Sequence, residues 1–351
     1  MLPGGVRSFK YESEAAVLRT KTQWLLLCIG LAFLFTFPLF ASDYWQSWLT
    51  KLGITIVAVL GLHILMGLCG QISVGHAAFV AVGAYTVGVL TVRHDLNWWA
   101  CLPLAGLVAG VVGIVFGLPS FRLKGFYLAI STLAGHLVII WFIGHYQSVT
   151  GGYQGMSVIP PKLGSVDFGS VSSMYYLAII VMVVFTFFAK NLQRTSIGRV
   201  FVAIRDNDLA ARVSGINLFR YKMLAFFIGC FFAGIAGWLW AASQWRINPE
   251  QFRLEDSVWW IGMLIVGGMG TTTGVFLGAL VIRLYEALID VLSPYATEHL
   301  PYALAFQFHI TMSLVGLGLI IIAFLIFEPG GLYSRWEKLK SFYRLHPYSY
   351  I

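Results

Sequence analysis

The side chains able to do chemistry are few in this 351-residue chain, which has 8 His, 15 Asp and Glu, and 23 Lys and Arg. His63, His76, His136 and His309 fall within or at the edges of apolar runs. A polar group in such a place is costly and often functional. None of these histidines has the nucleophile, base or acid beside it that an intramembrane enzyme needs, and His63 and His309 read as bonds to a neighbouring helix. Arg283, Glu286 and Asp290 stand at i, i+3 and i+7 on one helical face, where Arg and Glu neutralise each other. Further acids are scarce at mid-span, which counts against the alternative of an ion-coupled secondary transporter or channel. No Gly-x-x-x-x-Gly-Lys-Ser/Thr run cradles a phosphate, so the chain does not itself run on ATP. His-Glu-x-x-His, Cys/His clusters and Gly-x-Ser-x-Gly are missing too. Cys28, Cys69, Cys101 and Cys230 form no CxxC pair and read as small core residues. One polar cluster stands out: Gln71, Ser73 and His76, interleaved with Gly70 and Gly75.

The elements that must position these groups follow from composition. Hydrophobic residues make up 58% of the chain and charged residues 11%, against about 25% charged in soluble domains. The mean hydropathy is +0.79. A soluble enzyme, a nucleic-acid binder and a disordered chain are excluded, and the fold class is an all-α polytopic membrane protein. About 20 helical residues cross a bilayer core of about 30 Å. Ten segments qualify as spans: 24–41, 52–68, 76–92, 99–117, 126–143, 173–189, 223–243, 257–269, 274–290 and 304–327. The first follows a polar stretch without a small-residue cleavage site, so it reads as a span and not as a signal peptide. The Gly-rich junctions 67–75 and 267–274 are either tight turns or helices interrupted inside the membrane. In the second, Gly267, Gly268 and Gly270 form the interruption.

Orientation follows from Lys and Arg. Residues 1–23, 118–125, 190–222 and the tail 334–351 carry 17 of the 23 basic residues, all on one side if ten helices alternate. The other side holds Lys51, Arg93, Lys162, Arg246 and Arg253. Both termini are therefore expected in the cytoplasm, flanking a transmembrane domain at 24–333. The formal charge of +8 is this bias and not a nucleic-acid footprint.

The loop 190–222 is the most informative stretch outside the spans. Asp206 or Asn207 suits the N-cap of a short helix, Ala210 and Ala211 are good helix formers, and Gly215 suits the position after its end. Leu209 and Val213 give the helix one apolar stripe. Either it seats in a cleft on a partner protein, or it is a solvated connector.

Here the sequence resembles a known family. Ala210-Ala211, three residues, then Gly215 looks like the Ala-Ala-x-x-x-Gly core of the cytoplasmic loop of ABC-importer permeases. The fuller run through Arg199, Ala203, Ile204, Arg205, Asp206, Asn207, Asp208, Leu209, Ala210, Ala211, Gly215 and Asn217 resembles the LivM-type permease of branched-chain amino acid importers. So do the run from Gly70 to Phe79, the one from Gly117 to Tyr127, and Thr150-Gly151-Gly152 with Gly155. Arg220-Tyr221-Lys222, Gly267-Gly268-Met269-Gly270 and Phe327-Glu328-Pro329-Gly330-Gly331-Leu332 match as well, so the likeness covers roughly residues 52–333. The chain departs at Gly135-His136-Leu137, at Tyr153-Gln154 and at Leu209, which stands where the loop motif carries an acid. Similar permeases serve urea, short amides and aromatic acids as well as leucine, isoleucine and valine.

The resemblance implies a bacterial inner-membrane, multi-pass subunit with several partners. These are a LivH-type second permease, two cytoplasmic ABC ATPases that bind ATP and magnesium, a periplasmic or extracellular solute-binding protein, and lipid. It implies no cofactor, metal or nucleic acid for the chain itself. The helix around 206–215 would be the coupling helix, with Arg205 and Arg212 pairing with acids on an ATPase. Gly70, Gln71, Ser73, Gly75 and His76, with Gly267, Gly268 and Gly270, are the candidates for the translocation path, since broken helices expose backbone groups to a polar solute.

Overall fold

The computed structural model describes residues 21–121, 123, 125–163, 166–299 and 302–345. The expected positions Arg7, Lys10, Arg19, Arg122 and Lys124 lie outside them, as does the side chain of His309.

Helices dominate, as an apolar setting that offers no water to backbone groups requires. They are α1 (Lys21–Thr36), α2 (Asp43–Leu62), α3 (His76–His94), α4 (Trp98–Gly117), α5 (Phe126–His145) and α6 (Val171–Leu192). There follow α7 (Ser196–Asp206), α8 (Asp208–Val213), α9 (Leu218–Gln244), α10 (Leu254–Gly267), α11 (Thr272–His299), α12 (Tyr302–Phe327) and α13 (Gly331–Leu345). Two small antiparallel pairs lie between the helix ends. Met156–Ser157 (β1) pairs with Arg246–Ile247 (β4), and Lys162–Leu163 (β2) pairs with Val166–Asp167 (β3). At the second, the Gly169 N–H and then the Lys162 ammonium hold the Asp167 carboxyl below the usual carboxylate range.

Each of the ten expected spans falls on a helix, but ten crossings are not what the helices support. Among the described residues, six are long and apolar enough to cross alone. They are the 26-residue Asp43–Leu68, formed by α2 and its π-helical continuation His63–Leu68, together with α3, α4, α5, α6 and α9. A seventh arises if α12 and α13, bent by 44° around residues 328–330, count as one. The segment expected at 257–269 is α10, whose 14 residues extend only about 21 Å. Residue count along an apolar stretch does not reveal where a helix starts in the interior of a bundle. The tail expected from 334 is helical through Leu345.

At the centre stands α9. Its Trp238 is fully buried and donates its indole N–H to the Trp98 carbonyl at 3.0 Å. Along α4, Gly106, Gly110, Gly113 and Gly117 form a groove filled by Phe231, Phe227, Cys230 and Phe226 of α9. On the other side Gly83 of α3 lies so close to Gly234 that a Cβ would fall 2.3 Å from that residue's carbonyl oxygen. Small residues allow this approach, and dispersion between closely packed helices replaces the hydrophobic drive that lipid cannot supply. Large apolar side chains face outward instead, Val111, Val115, Phe142 and Phe187 among them.

The bundle has two distinct ends. At one lie α7, α8 and α13 with Arg194, Arg199, Arg205, Arg212, Arg335 and Lys338. At the other lie the β pairs with Lys162, Arg246 and Arg253.

Candidate functional site

Two polar cavities lie in the bundle, one on each side of the break between α2 and α3. The π turn leaves the α-helical ladder at His63, and Gly70 has φ +68°, so residues 70–75 run without helix before α3 starts at His76. The first junction left open by the sequence is therefore an interruption of helix, whereas the second is a tight turn, because Gly267 packs on Gly274 and Gly278 on Met263, so that α10 and α11 run antiparallel. The His76 ring Nε2–H donates to the Ala58 carbonyl at 3.1 Å. Ala58 lies ten residues before Leu68, so His76 sits about 15 Å deeper in the bundle than the end of the π turn. The segment enters the bundle and is not a turn on its surface.

Its backbone is fastened on two sides. The Val74 N–H donates to Thr132 Oγ1 of α5 at 3.0 Å, and the Ala77 N–H donates to Ser257 Oγ of α10 at 2.9 Å. Gly75 is needed here because a Cβ would fall 2.2 Å from the Thr132 carbonyl. Its side chains are only partly satisfied: the Gln71 amide donates to the Cys69 carbonyl at 3.2 Å and His76 to Ala58, but each leaves one polar atom over. Gln71, Ser73 and His76 are all buried, and Gln71 Oε1, Ser73 Oγ and His76 Nδ1 have no hydrogen-bond partner. Native structures rarely leave such groups unpaired, and each costs about 1–3 kcal/mol if dry. Three in one short segment mark a place built to meet water or a polar solute.

Toward the α7–α8 end, Gln71 opens on a cleft of about 320 Å³ lined by Gly70, Arg205, Asp206, Asn207, Asp208 and Lys222. Arg205 organises it. Its guanidinium pairs with Asp206 at 2.9 Å and donates through Nη1 to the Gly67 carbonyl at 2.7 Å. A Cβ on Gly70 would meet Arg205 Cγ at 3.0 Å, and one on Gly270 would meet Arg205 Nη1 at 3.0 Å. The two Gly-rich junctions, 200 residues apart in sequence, therefore converge on one arginine. The second is the turn between α10 and α11, where Gly268 and Gly270 have φ +110° and +97°.

Beyond His76, toward the β pairs, lies a cavity of about 110 Å³. Its polar wall is Thr55, Gln251, Asp256 and Arg283, and its apolar wall includes Trp240, Phe252 and Trp260. Trp260 also packs edge-on to the His76 ring, with centroids 6.0 Å apart. Arg283 and Glu286 do form the expected pair, at 2.5 Å. The pair is not only self-neutralising, because Arg283 Nη2 also donates to Thr55 of α2. Asp290 lies at the exposed surface. Asp256 escaped the sequence analysis because the span assigned there begins one residue later. An acid before an apolar run reads as a helix-start signal, and Asp256 does accept the Arg253 N–H at 2.9 Å.

Helix α8 forms as its sequence predicts, preceded by α7, which the sequence analysis did not single out. Thr195 caps α7 by accepting the Gly198 N–H, and Phe201 and Ile204 anchor it on the bundle. Asn207 caps α8 by accepting the Ala210 N–H at 3.1 Å, and Gly215 follows with φ +84°. Leu209 and Val213 are 67% and 88% exposed, so the apolar stripe faces away from the chain. Ala210 faces outward with them, but Ala211 does not. It is 4% exposed and packs against its own chain. Ala203 lies half-buried on α7, and Arg199 donates to the Arg194 carbonyl at 3.0 Å. His63 bonds a neighbouring element as expected, accepting a hydrogen bond from the Gln193 amide at 2.6 Å.

An all-helical bundle enclosing two polar cavities, with a short helix presenting an apolar stripe at one end, is the build of a membrane transport subunit. Residues 44–325 match the family described as branched-chain amino acid transport system / permease component, and the chain belongs to that family. It is 32% identical over 350 residues to the high-affinity branched-chain amino acid transport system permease protein LivM of Salmonella typhimurium, covering 92% of this chain and 78% of that one. With the LivM protein of Escherichia coli the identity is 31%, over 89% and 75% of the two chains. A probable branched-chain amino acid transport permease protein LivH of Methanocaldococcus jannaschii is 23% identical over 81% of this chain and 90% of its own. No solved structure matches the chain.

Proposed function

We propose that the chain is a transmembrane permease subunit of an ABC importer for branched-chain amino acids and forms the pathway with a second, LivH-type permease. The relatives' names supply the cargo. The observation that carries the mechanism is the line of polar groups from the Asp256–Arg283 cavity, past His76, Ser73 and Gln71, to the cleft at Arg205. The α7–α8 end faces the cytoplasm of a bacterial cell, which puts the basic residues there in accord with the positive-inside rule. An ATPase subunit takes the α8 stripe, and Arg212 beside it meets acids on that partner. A second ATPase serves the second permease. ATP and magnesium bind to those subunits and not to this chain. A solute-binding protein docks at the end carrying the β pairs.

The test is uptake of radiolabelled L-leucine into proteoliposomes holding the assembled complex. Uptake is expected to require enclosed ATP and added binding protein and to survive a protonophore. Uptake without ATP that collapses with the protonophore would overturn the reading in favour of ion coupling. In the same assay, Gln71→Leu with Ser73→Ala is expected to slow uptake about tenfold, the loss of one or two hydrogen bonds to a passing solute, at unchanged assembly. Normal uptake would remove that pair from the path.

A further inference from the structure

The cavity between α2, α9, α10 and α11 has a composition that its packing role does not explain. A volume of about 110 Å³ is far above the roughly 10–15 Å³ that holds one water. Two opposite charges line it inside an apolar bundle, and charges so placed are retained at a cost. Nothing in the architecture of α10 or α11 requires both. Asp256 is the third residue of α10 and closes a capping box with Arg253, a bond that a neutral Gln at that position also makes, and Glu286 would need no partner had Arg283 been absent.

From these observations we infer that the cavity is a binding site for a zwitterionic α-amino acid with an apolar side chain. The ligand carboxylate lies on the Arg283 guanidinium and the ammonium lies toward the Asp256 carboxylate. Arg283 spends one Nη on Glu286 and one on Thr55, while its buried Nε–H has no acceptor. A guanidinium offers five donors in a planar fork that matches a carboxylate. Glu286 and Thr55 hold that fork still, so the ligand does not pay to order it. Asp256, in the first turn of α10, is tethered by one oxygen to the Arg253 N–H and stays in place without a ligand. A zwitterion adds no net charge to the site, so it enters without an accompanying ion.

Trp240, Phe252 and Trp260 face the polar wall and supply the apolar surface for the side chain. Urea and short amides bring no pair of opposite charges, and a simple carboxylate leaves Asp256 unmatched. The site lies next to His76, whose ring touches Trp260 and whose Nε2 holds Ala58, itself a residue of the cavity wall. A solute leaving the cavity toward α7–α8 therefore meets the segment whose Gln71, Ser73 and His76 each keep an unpaired polar atom.

This inference rests on the transport reading above, and the experiment separates the two. The complex of this chain with its partner permease and ATPases is purified without binding protein or ATP and equilibrated with radiolabelled L-leucine. Saturable binding is expected, with leucinamide and 4-methylpentanoate competing at least about tenfold more weakly because each lacks one charge. Asp256→Asn is expected to weaken leucine binding by a similar factor. So is the double variant Arg283→Gln with Glu286→Gln, which removes the arginine without leaving the Glu286 carboxylate unpaired. Equal competition by the three ligands, unchanged binding in the variants, or no saturable binding to the wild-type complex would each overturn the site. The same wild-type preparation is assayed for ATP-driven leucine uptake with the binding protein present. Uptake there alongside any of those failures removes the cavity and leaves the transport reading intact, whereas absence of uptake removes the reading itself.

Discussion

Leu209→Asp with Val213→Asp is expected to leave the chain folded and inserted while lowering ATP-driven uptake at least about a hundredfold. Both side chains are largely exposed, at 67% and 88%, and a Cβ at Gly215 just beyond them would meet nothing within 4 Å. Substitution there leaves the chain's own packing alone. Burying a Leu or Val side chain on a partner contributes about 1.5–3 kcal/mol each, and a carboxylate driven into the same apolar seat adds a desolvation cost. Two positions together exceed 3 kcal/mol, and each 1.4 kcal/mol is a factor of ten in association. The measurements are co-purification of the ATPase subunits and uptake, read beside the thermal midpoint of the permease. An unchanged midpoint with lost ATPase assembly is the expected pattern. Normal assembly and uptake would mean that the stripe faces lipid or solvent, and that the contact lies elsewhere. Ala211→Arg is a poor substitute, because Ala211 is buried in its own chain and the change would disturb α8 itself.

That contrast between Ala210 and Ala211 marks where the sequence stops speaking. The α8 helix was legible in full because its signals are local: a capping Asn207, good helix formers, an apolar i, i+4 pair and a glycine after its end. Which of two adjacent alanines faces inward is set by the packing of α7 and α9 beneath it, and no local pattern carries that. The same division runs through the spans. Apolar runs located all ten helices, yet the number able to cross alone depends on depth and tilt, and α10 proved too short. The glycines around 70 and 268 announced that helix would fail there, but not that both junctions would lie against Arg205. The cavity was the least legible part. Thr55, Gln251, Asp256 and Arg283 come from four places in the chain, and each has a bland local reading. Only Arg283, a charge in an apolar helix, carried a signal at all, and its neighbour Glu286 explained that signal away.

Arg205→Ala is expected to cut uptake about tenfold or more while the complex still assembles and its ATPases still turn over. Arg205 stands at the last turn of α7, two residues before Asn207 begins the cap of α8. Its guanidinium is held by Asp206 and reaches across to the Gly67 carbonyl at the end of the π turn, and Gly270 lies against its Nη1. A movement of α8 on its partner therefore reaches both junctions through one side chain. Removing it leaves the Gly67 carbonyl without that charge-assisted bond, a loss of about 1.5–3 kcal/mol in the coupled state, or about a ten- to hundredfold change in its population. The side chain is about a third exposed, so water takes its place in the resting protein and the thermal midpoint moves little. Arg205→Lys is expected to recover part of the uptake, since an ammonium can still donate to Gly67 but cannot hold Asp206 through a fork. Gly270→Ala should resemble Arg205→Ala, because a Cβ there pushes Nη1 aside in a backbone conformation that already strains any L residue. If both variants act on one contact, the double variant is no worse than either alone, since coupled sites do not add. Additive losses, or a lowered midpoint that tracks the lost uptake, would reduce Arg205 to a packing residue and leave the route from α8 to the junctions to be sought in Phe201 and Ile204.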